Sequence, residues 1–479
     1  MNTPVPRAGL ERFFKIGERG STVGREVRGG LVTFFTMAYI VVLNPIIIGG
    51  MAGSDRNLDL TGSFLPSAQV AAVTALVAGV MTLLMGLVAN FPFAIAAGLG
   101  INSLLAVTIA PTMTWPQAMG LVVIDGVIIV ILGLTGFRTA VFNAVPPELK
   151  SAIAAGIGAF IAFIGLVDAG FVTGTDGGPP VQLGVDGSIA TVPTLVFVIG
   201  VLLMGVLTVR KIPGALLIGI AIMSVLSLIV EAIWGLGSMS DKSGGWAMNV
   251  PGTPDSLLRL PDLSLVGQVD LFGAIEHVGY LVAGIFVFTL VLSNFFDAMG
   301  TMTGVGKEGG LADADGNLPG IGKALVVEGA GAVVGGAASA SSNTVFVESA
   351  AGVAEGARTG LANVVTGVLF LVAMFFTPLY EIIPMEAVTP ALVVVGALMM
   401  AQVRDIDFRR FEYALPAFLT IVVMPFTYSI ANGIGVGFIA WVVMAAATGA
   451  ARKVHPLLWV VAALFVVYFA RGPISGWVG

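Results

Sequence analysis

The chain contains no cysteine and only two histidines, His277 and His455. Disulfides, thiolate metal sites, cysteine nucleophiles and His-rich metal centres are thereby excluded. Charge is scarce too: Asp, Glu, Lys and Arg make up 10% of 479 residues, against roughly 25% in an ordinary soluble domain. The opening stretch, MNTPVPRAGLERFFKIGERG, lacks the short apolar core of a cleavable signal. What is abundant is apolar sequence: 57% of residues are hydrophobic and mean hydropathy is +1.00. It comes in runs of about 20 residues, long enough to cross a bilayer core of about 30 Å. The composition predicts an all-α polytopic membrane protein, and 64 glycines suit close helix packing in lipid.

Spans are expected to begin near residues 30, 67, 93, 115, 151, 191 and 212, and again near 279, 322, 344, 359, 386, 411 and 433. The expected organisation is a cytoplasmic N-terminal segment (1–29), a first seven-span repeat (30–236) and an extracellular loop (237–270). A second, inverted seven-span repeat (271–450) follows, then a C-terminal segment (451–479) with an extra apolar run at 456–470 that either crosses or lies at the interface. With the N-terminus in the cytoplasm, 18 of the 22 Lys and Arg fall on the inside, leaving Arg56, Lys242, Arg259 and Arg471 outside. That asymmetry follows the positive-inside rule, and the expected location is the inner (plasma) membrane. The first four pairs of matched span starts lie 249, 255, 251 and 244 residues apart. Seven is odd, so a second copy enters the membrane upside down. Inverted repeats mark secondary transporters, whose substrate sits near the midplane where interrupted helices meet.

Two corresponding spans are interrupted. The third, PFAIAAGLGINSLLAVTIA (Pro92 to Ala110), opens too rich in Gly and Pro for a good helix and carries Asn102. The tenth, SASSNTVFVESAAGV (Ser339 to Val353), opens small, polar and β-branched, which favours extended chain, with a helix expected near Glu348. Extended backbone cannot face lipid, so the two pieces are expected to face each other inside the protein and line a cavity. Asn102 would stand on one wall, and Ser342, Asn343, Thr344 and Glu348 on the other. Phe93 and Phe346 lie on the strands, where each either stacks on a flat ligand or packs in the core. A carboxylate in mid-membrane costs a few kcal/mol or more, so Glu348 reads as functional.

Other polar residues have competing readings. Gly335, Gly336, Ala337 and Ala338 suit close packing as well as a site. Asp125, in LVVIDGVII, either couples an ion or makes a polar contact between helices. Glu328 either couples an ion or snorkels to the cytoplasm. Asn44, before Pro45, is expected to satisfy backbone that the proline frees. Glu231, Glu276 and His277 fall near span ends and are expected to be solvated. The loop with Asp313, Asp315 and Asn317 hints at a calcium loop, but its twelfth position is Ala324 rather than glutamate, so no metal site is expected.

Seven stretches carry a resemblance. They are TFFTMAYIVVLNP (33–45), AAGLGIN (96–102), LTGFR (134–138), SAIAAGIGAFIAFIGL (151–166), NFFDAMGT (294–301), VESAAGVAEGARTGL (347–361) and ALPAFLTIVVMPFTYSIANGIGVGF (414–438). In family order, they resemble the AzgA-like purine permeases of the nucleobase:cation symporter-2 group. The resemblance implies the fold of the bacterial uracil permease: seven plus seven inverted spans, short strands in spans three and ten, and core and gate domains. It implies uptake of adenine, guanine or hypoxanthine coupled to protons, with Asn102, Asp297 and Glu348 at the purine-contacting positions. Departures fall on the pocket wall: Gly98-Leu99-Gly100-Ile101-Asn102-Ser103 and Ser339-Ala340-Ser341-Ser342-Asn343-Thr344-Val345 differ from the usual motifs, Glu328 stands for an aspartate, and Asp125 for a small polar residue.

The chemistry is coherent. An ionised carboxylate only accepts, whereas a carboxamide donates and accepts, so Glu348 and Asn102 suit the N–H-bearing rim of a purine. The coupled proton is expected on Asp297 or Glu348, with Asp125 and Glu328 as further candidates. No cofactor is expected. The partners are a purine nucleobase and membrane lipid, not nucleic acid, and a homodimer is compatible with the reading. The rivals are a uracil/xanthine or anion transporter of the same fold, and an intramembrane enzyme pairing Asp125 with Asp297.

Overall fold

The computed structural model describes residues 9–50, 57–136, 145–175, 180–184, 187–239, 244–247, 249–253, 256–313 and 318–470. Arg7, Arg56, Arg138, Lys242 and Arg471 of the charge partition, with Asp315 and Asn317, lie outside these residues. The first helices are α1 (Gly9–Phe14), α2 (Val23–Met37), α3 (Ile40–Ile48), α4 (Ser67–Leu84), α5 (Leu99–Leu104) and α6 (Trp115–Leu134). Then come α7 (Pro147–Asp168), α8 (Val192–Val209), α9 (Ala215–Trp234), α10 (Gly273–Glu308), α11 (Ile321–Ala337) and α12 (Ser349–Ala354). The last are α13 (Gly360–Ala373), α14 (Pro378–Glu381), α15 (Met385–Met400), α16 (Phe411–Phe426), α17 (Ile430–Ala447) and α18 (Pro456–Phe469). Among the described residues, nine helical stretches are long and apolar enough to cross a membrane, and four shorter apolar ones accompany them. The protein is an all-α polytopic membrane protein.

Local chemistry sets where these helices start and bend. Thr22 accepts from the Arg25 amide to start α2, and Ser429 from the Asn432 amide to start α17. Thr114 and Gln117 form a reciprocal capping box at α6, with Pro116 in the first turn, where its missing N–H costs nothing. Gly279, at φ 80 and ψ 161, breaks α10 near its start, a conformation closed to residues with a Cβ. The final helix α18 has 14 residues, about 21 Å at 1.5 Å each. It buries Leu458, Ala462 and Phe465, whose ring stacks on Phe438 of α17 at 6.2 Å.

The helices pack in two groups. In the first, α6 lies along α11 and α10, α13 along α4 and α2, and α12 along α2. In the second, α7 lies along α15 and α16, α8 along α15 and α9, and α17 along α16 and α18. The groups meet where α7 touches α5 and α10, α15 touches α3, α9 touches α2, and α17 touches α10.

Strands are short and come in three pairs. β1 (Gly49–Gly50) runs parallel to β2 (Leu65–Pro66), and β4 (Val172–Gly174) runs antiparallel to β5 (Val181–Leu183). The third pair lies inside the first helix group: β3 (Ile95–Ala97) is antiparallel to β6 (Asn343–Val345), with Ile95 opposite Val345, Ala96 opposite Thr344 and Ala97 opposite Asn343. All six of these residues are buried.

Candidate functional site

The β3–β6 pair solves the problem of extended chain at membrane depth by satisfying backbone with backbone. Beyond the strands the ladder continues, with the Gly98 amide donating to the Ser342 carbonyl at 2.9 Å and the Phe346 amide to the Ala94 carbonyl at 3.0 Å. Each strand runs directly into a short helix. Gly98 precedes α5, and Glu348 precedes α12. Gly335 is needed beneath this pair: a Cβ there would meet the Ser341 carbonyl oxygen at 2.0 Å. The glycine therefore serves close packing of α11 on the strand. Ser339 and Ser341 turn the chain into β6 with φ of 55° and 69°, left-handed values that non-glycine residues adopt at a cost.

Glu348 is half-buried, and the hydroxyl of fully buried Tyr39 donates to its Oε1 at 2.5 Å. Asn102, fully buried on α5, donates from Nδ2 to Oδ1 of Asn44 at 2.5 Å. Asp297, half-buried on α10, lies within electrostatic reach of Glu328 and Glu348. Three residues earlier, Asn294 donates from Nδ2 to Ser342 Oγ at 3.1 Å and to Asp125 Oδ2 at 3.3 Å. A polar bridge thus links α6, α10 and the chain entering β6. Along β6, Asn343 Oδ1 and Thr344 Oγ1 are buried without a protein partner, as is the neighbouring Ser341 Oγ. Buried polar atoms left so commonly serve a site.

Phe346 is almost fully buried beside Glu348. Phe93 is fully buried as well, and its ring stacks on Phe91 at 4.8 Å and 7°, with the Arg19 guanidinium over Phe91. A cavity of about 180 Å³ is lined by Ser103 and Ala106, which follow Asn102 in the chain, and by Ile164, Asp168 and Tyr428; Asn102, Asp297, Glu348 and the residues of β3 and β6 do not line it. Its walls come from both helix groups.

One alternative drops out and two expectations need correction. Glu328 does not snorkel; it is fully buried in α11. Asn44 does not serve the backbone beside Pro45. Its Nδ2 reaches Thr74 Oγ1 at 2.8 Å and the Ala340 carbonyl at 3.2 Å. Glu231 is more than a solvated span end, since it accepts from the Leu236 amide at 2.9 Å and the Trp246 indole at 2.8 Å, holding the loop after α9. Tyr39, Asn44 and Asn294 were not expected at the site. The available signal was polarity within apolar runs, and for Asn294 its spacing of three residues from Asp297 on one helix, which puts both on one face.

A buried polar centre inside a polytopic helical bundle is the arrangement expected of a membrane transporter. Residues 24–436 match the permease family model Xan_ur_permease, and the chain belongs to that permease family. It is 37% identical to the guanine/hypoxanthine permease PbuG of Bacillus subtilis (strain 168), over 96% of this chain and 99% of the relative. It is 35% identical to the adenine permease AdeQ of Escherichia coli (strain K12), over 96% of this chain and 95% of the relative. Among solved structures, the transmembrane domain of the cyanobacterial bicarbonate transporter BicA shares the fold with a TM-score of 0.61 at 16% identity, covering 86% of this chain and 96% of that one.

Proposed function

We propose that the protein is a secondary active transporter that imports purine nucleobases, adenine, guanine or hypoxanthine, by proton symport with alternating access. The observation that carries this reading is the antiparallel pairing of two interrupted crossings, with Asn102 on one following helix and Glu348 at the start of the other. Asn102, Asp297 and Glu348 form the purine-binding set, with Ser342, Asn343, Thr344 and Phe346 on the wall and Phe93 supporting it from behind. Asp297 and Glu348 carry the coupled proton, and Asp125 and Glu328 extend the network.

The architecture behind this is fourteen spans in two inverted sets of seven. Packing supports it. Exchanging each span with its counterpart seven further on turns the α4–α13 contact into α11–α6, and the α7–α16 contact into α15–α8. The first helix group acts as the core that carries the site, and the second as the gate against which it moves. The N-terminus faces the cytoplasm of a cell whose inner membrane holds the protein.

The names of the relatives favour adenine, guanine and hypoxanthine over uracil, xanthine or anions. So does charge. No Lys or Arg occurs in β3, α5, β6 or α12, and the proposed set holds the acids Glu348 and Asp297 instead, which disfavours an anion even at two helix N-termini. The test is uptake of labelled adenine, guanine, hypoxanthine and uracil into cells expressing the protein. Purines should accumulate and a protonophore should abolish the gradient. Accumulation of uracil alone, or purine accumulation indifferent to the protonophore, would contradict the substrate or the coupling respectively.

A further inference from the structure

The hydrogen bonds behind Asn102 run in one direction. Thr74 Oγ1 donates to the Val70 carbonyl at 2.6 Å, so its hydrogen is committed and it can only accept from Asn44. The Ala340 carbonyl, at 3.2 Å, also only accepts. Two acceptors at one end of the Asn44 amide require its NH₂ group there, which turns Oδ1 toward Asn102. Asn102 must answer with its own NH₂, and does so at 2.5 Å. Its carbonyl Oδ1 is then the free end. That atom is fully buried and has no protein partner.

We infer that Asn44 is a specificity-determining residue: it holds Asn102 with the carbonyl rather than the amino group presented to the ligand, so the base must offer an N–H at that point. This rests on the reading of Asn102 as a purine contact and deepens it. A carboxamide left free to turn would serve donor and acceptor alike. Here the chain Val70–Thr74–Asn44–Asn102 fixes its polarity, and Ala340 ties the same chain to the approach to β6. Glu348 also accepts, so both side chains demand donors from the rim of the base.

The test is competition against uptake of a labelled purine by two matched pairs, adenine with hypoxanthine and guanine with xanthine. Each amino-to-oxo exchange inverts the donor–acceptor order on one part of the rim. Wild-type protein should prefer one member of the pair that faces Asn102. Asn44→Leu frees Asn102 to turn, and that preference should shrink about tenfold, the value of roughly one net hydrogen bond. Asn44→Asp, held protonated by burial with its O–H on the Thr74 or Ala340 oxygen, keeps a carbonyl toward Asn102 and should retain the preference, which a merely structural role would not distinguish. Should Asn44→Leu fail to reach the membrane, the near-isosteric Thr74→Val should shift the ratio in the same direction by a smaller factor. If purines compete but the ratio stays put in Asn44→Leu and Thr74→Val, or Asn44→Asp moves it as far as Asn44→Leu, the inference falls. If no purine competes in the wild type, it is the proposed substrate class that falls.

Discussion

The two interrupted crossings meet as partners in one sheet yet are built from opposite materials. The third reaches its strand through Phe93, Ala94, Ile95, Ala96 and Ala97, all apolar and fully buried. Neighbours hold its backbone: the Thr82 hydroxyl bonds both the amide and the carbonyl of Ile95, at 2.9 and 3.0 Å, and Asn363 Nδ2 donates to the Phe91 and Phe93 carbonyls at 3.1 and 2.8 Å. The tenth brings Ser341, Asn343 and Thr344, whose side chains keep unpartnered buried oxygens, and then Glu348. One crossing is a strand held by its neighbours, and in the proposed reading it contributes only Asn102 from its helix. The other leaves its own polar side chains open, and in the proposed reading those side chains meet the ligand.

Substitutions should therefore act differently on the two sides. The largest effect is expected on the tenth crossing and its partner α10. Glu348→Gln and Asp297→Asn should each abolish concentrative uptake of labelled hypoxanthine while the protein still reaches the membrane, because a carboxamide cannot carry the proton. Asn102→Ala, the one functional change available on the third crossing, should raise the KM for purine uptake about tenfold. Gly335→Ala should destabilise by about 1–3 kcal/mol, because the new methyl collides with the Ser341 carbonyl. A lowered midpoint in thermal unfolding of the detergent-solubilised protein checks this. Smallest of all, Phe93→Leu should cost about 1 kcal/mol through the lost stack on Phe91 and leave KM unchanged. The same substitution at Phe346 should raise KM, and equal KM effects at both positions would erase the proposed asymmetry.

Much of this was legible in the residues because a membrane penalises exceptions. Gly and Pro in one apolar run, and small, β-branched and polar residues in another, make poor lipid-facing helix, so both interruptions stand out, as does Glu348. Register was not legible. Nothing in IAA or NTV says that Ala96 should face Thr344, since that pairing follows from helices flanking both strands. Asn44 was misread because Pro45 beside it suggests a local duty, whereas its amide bonds a carbonyl 296 residues along the chain. The choice between the two readings of Glu328 was not legible because hydropathy places a residue along a helix but not around it. Its burial depends on α6 packing against α11, a contact no local pattern encodes.

A density map of the protein with bound hypoxanthine tests the central claim most directly. The account predicts the base beside the β3–β6 pair, with one N–H on Asn102 Oδ1 and another on the Glu348 carboxylate. A base lodged elsewhere, or third and tenth crossings that run as unbroken helices, would contradict it.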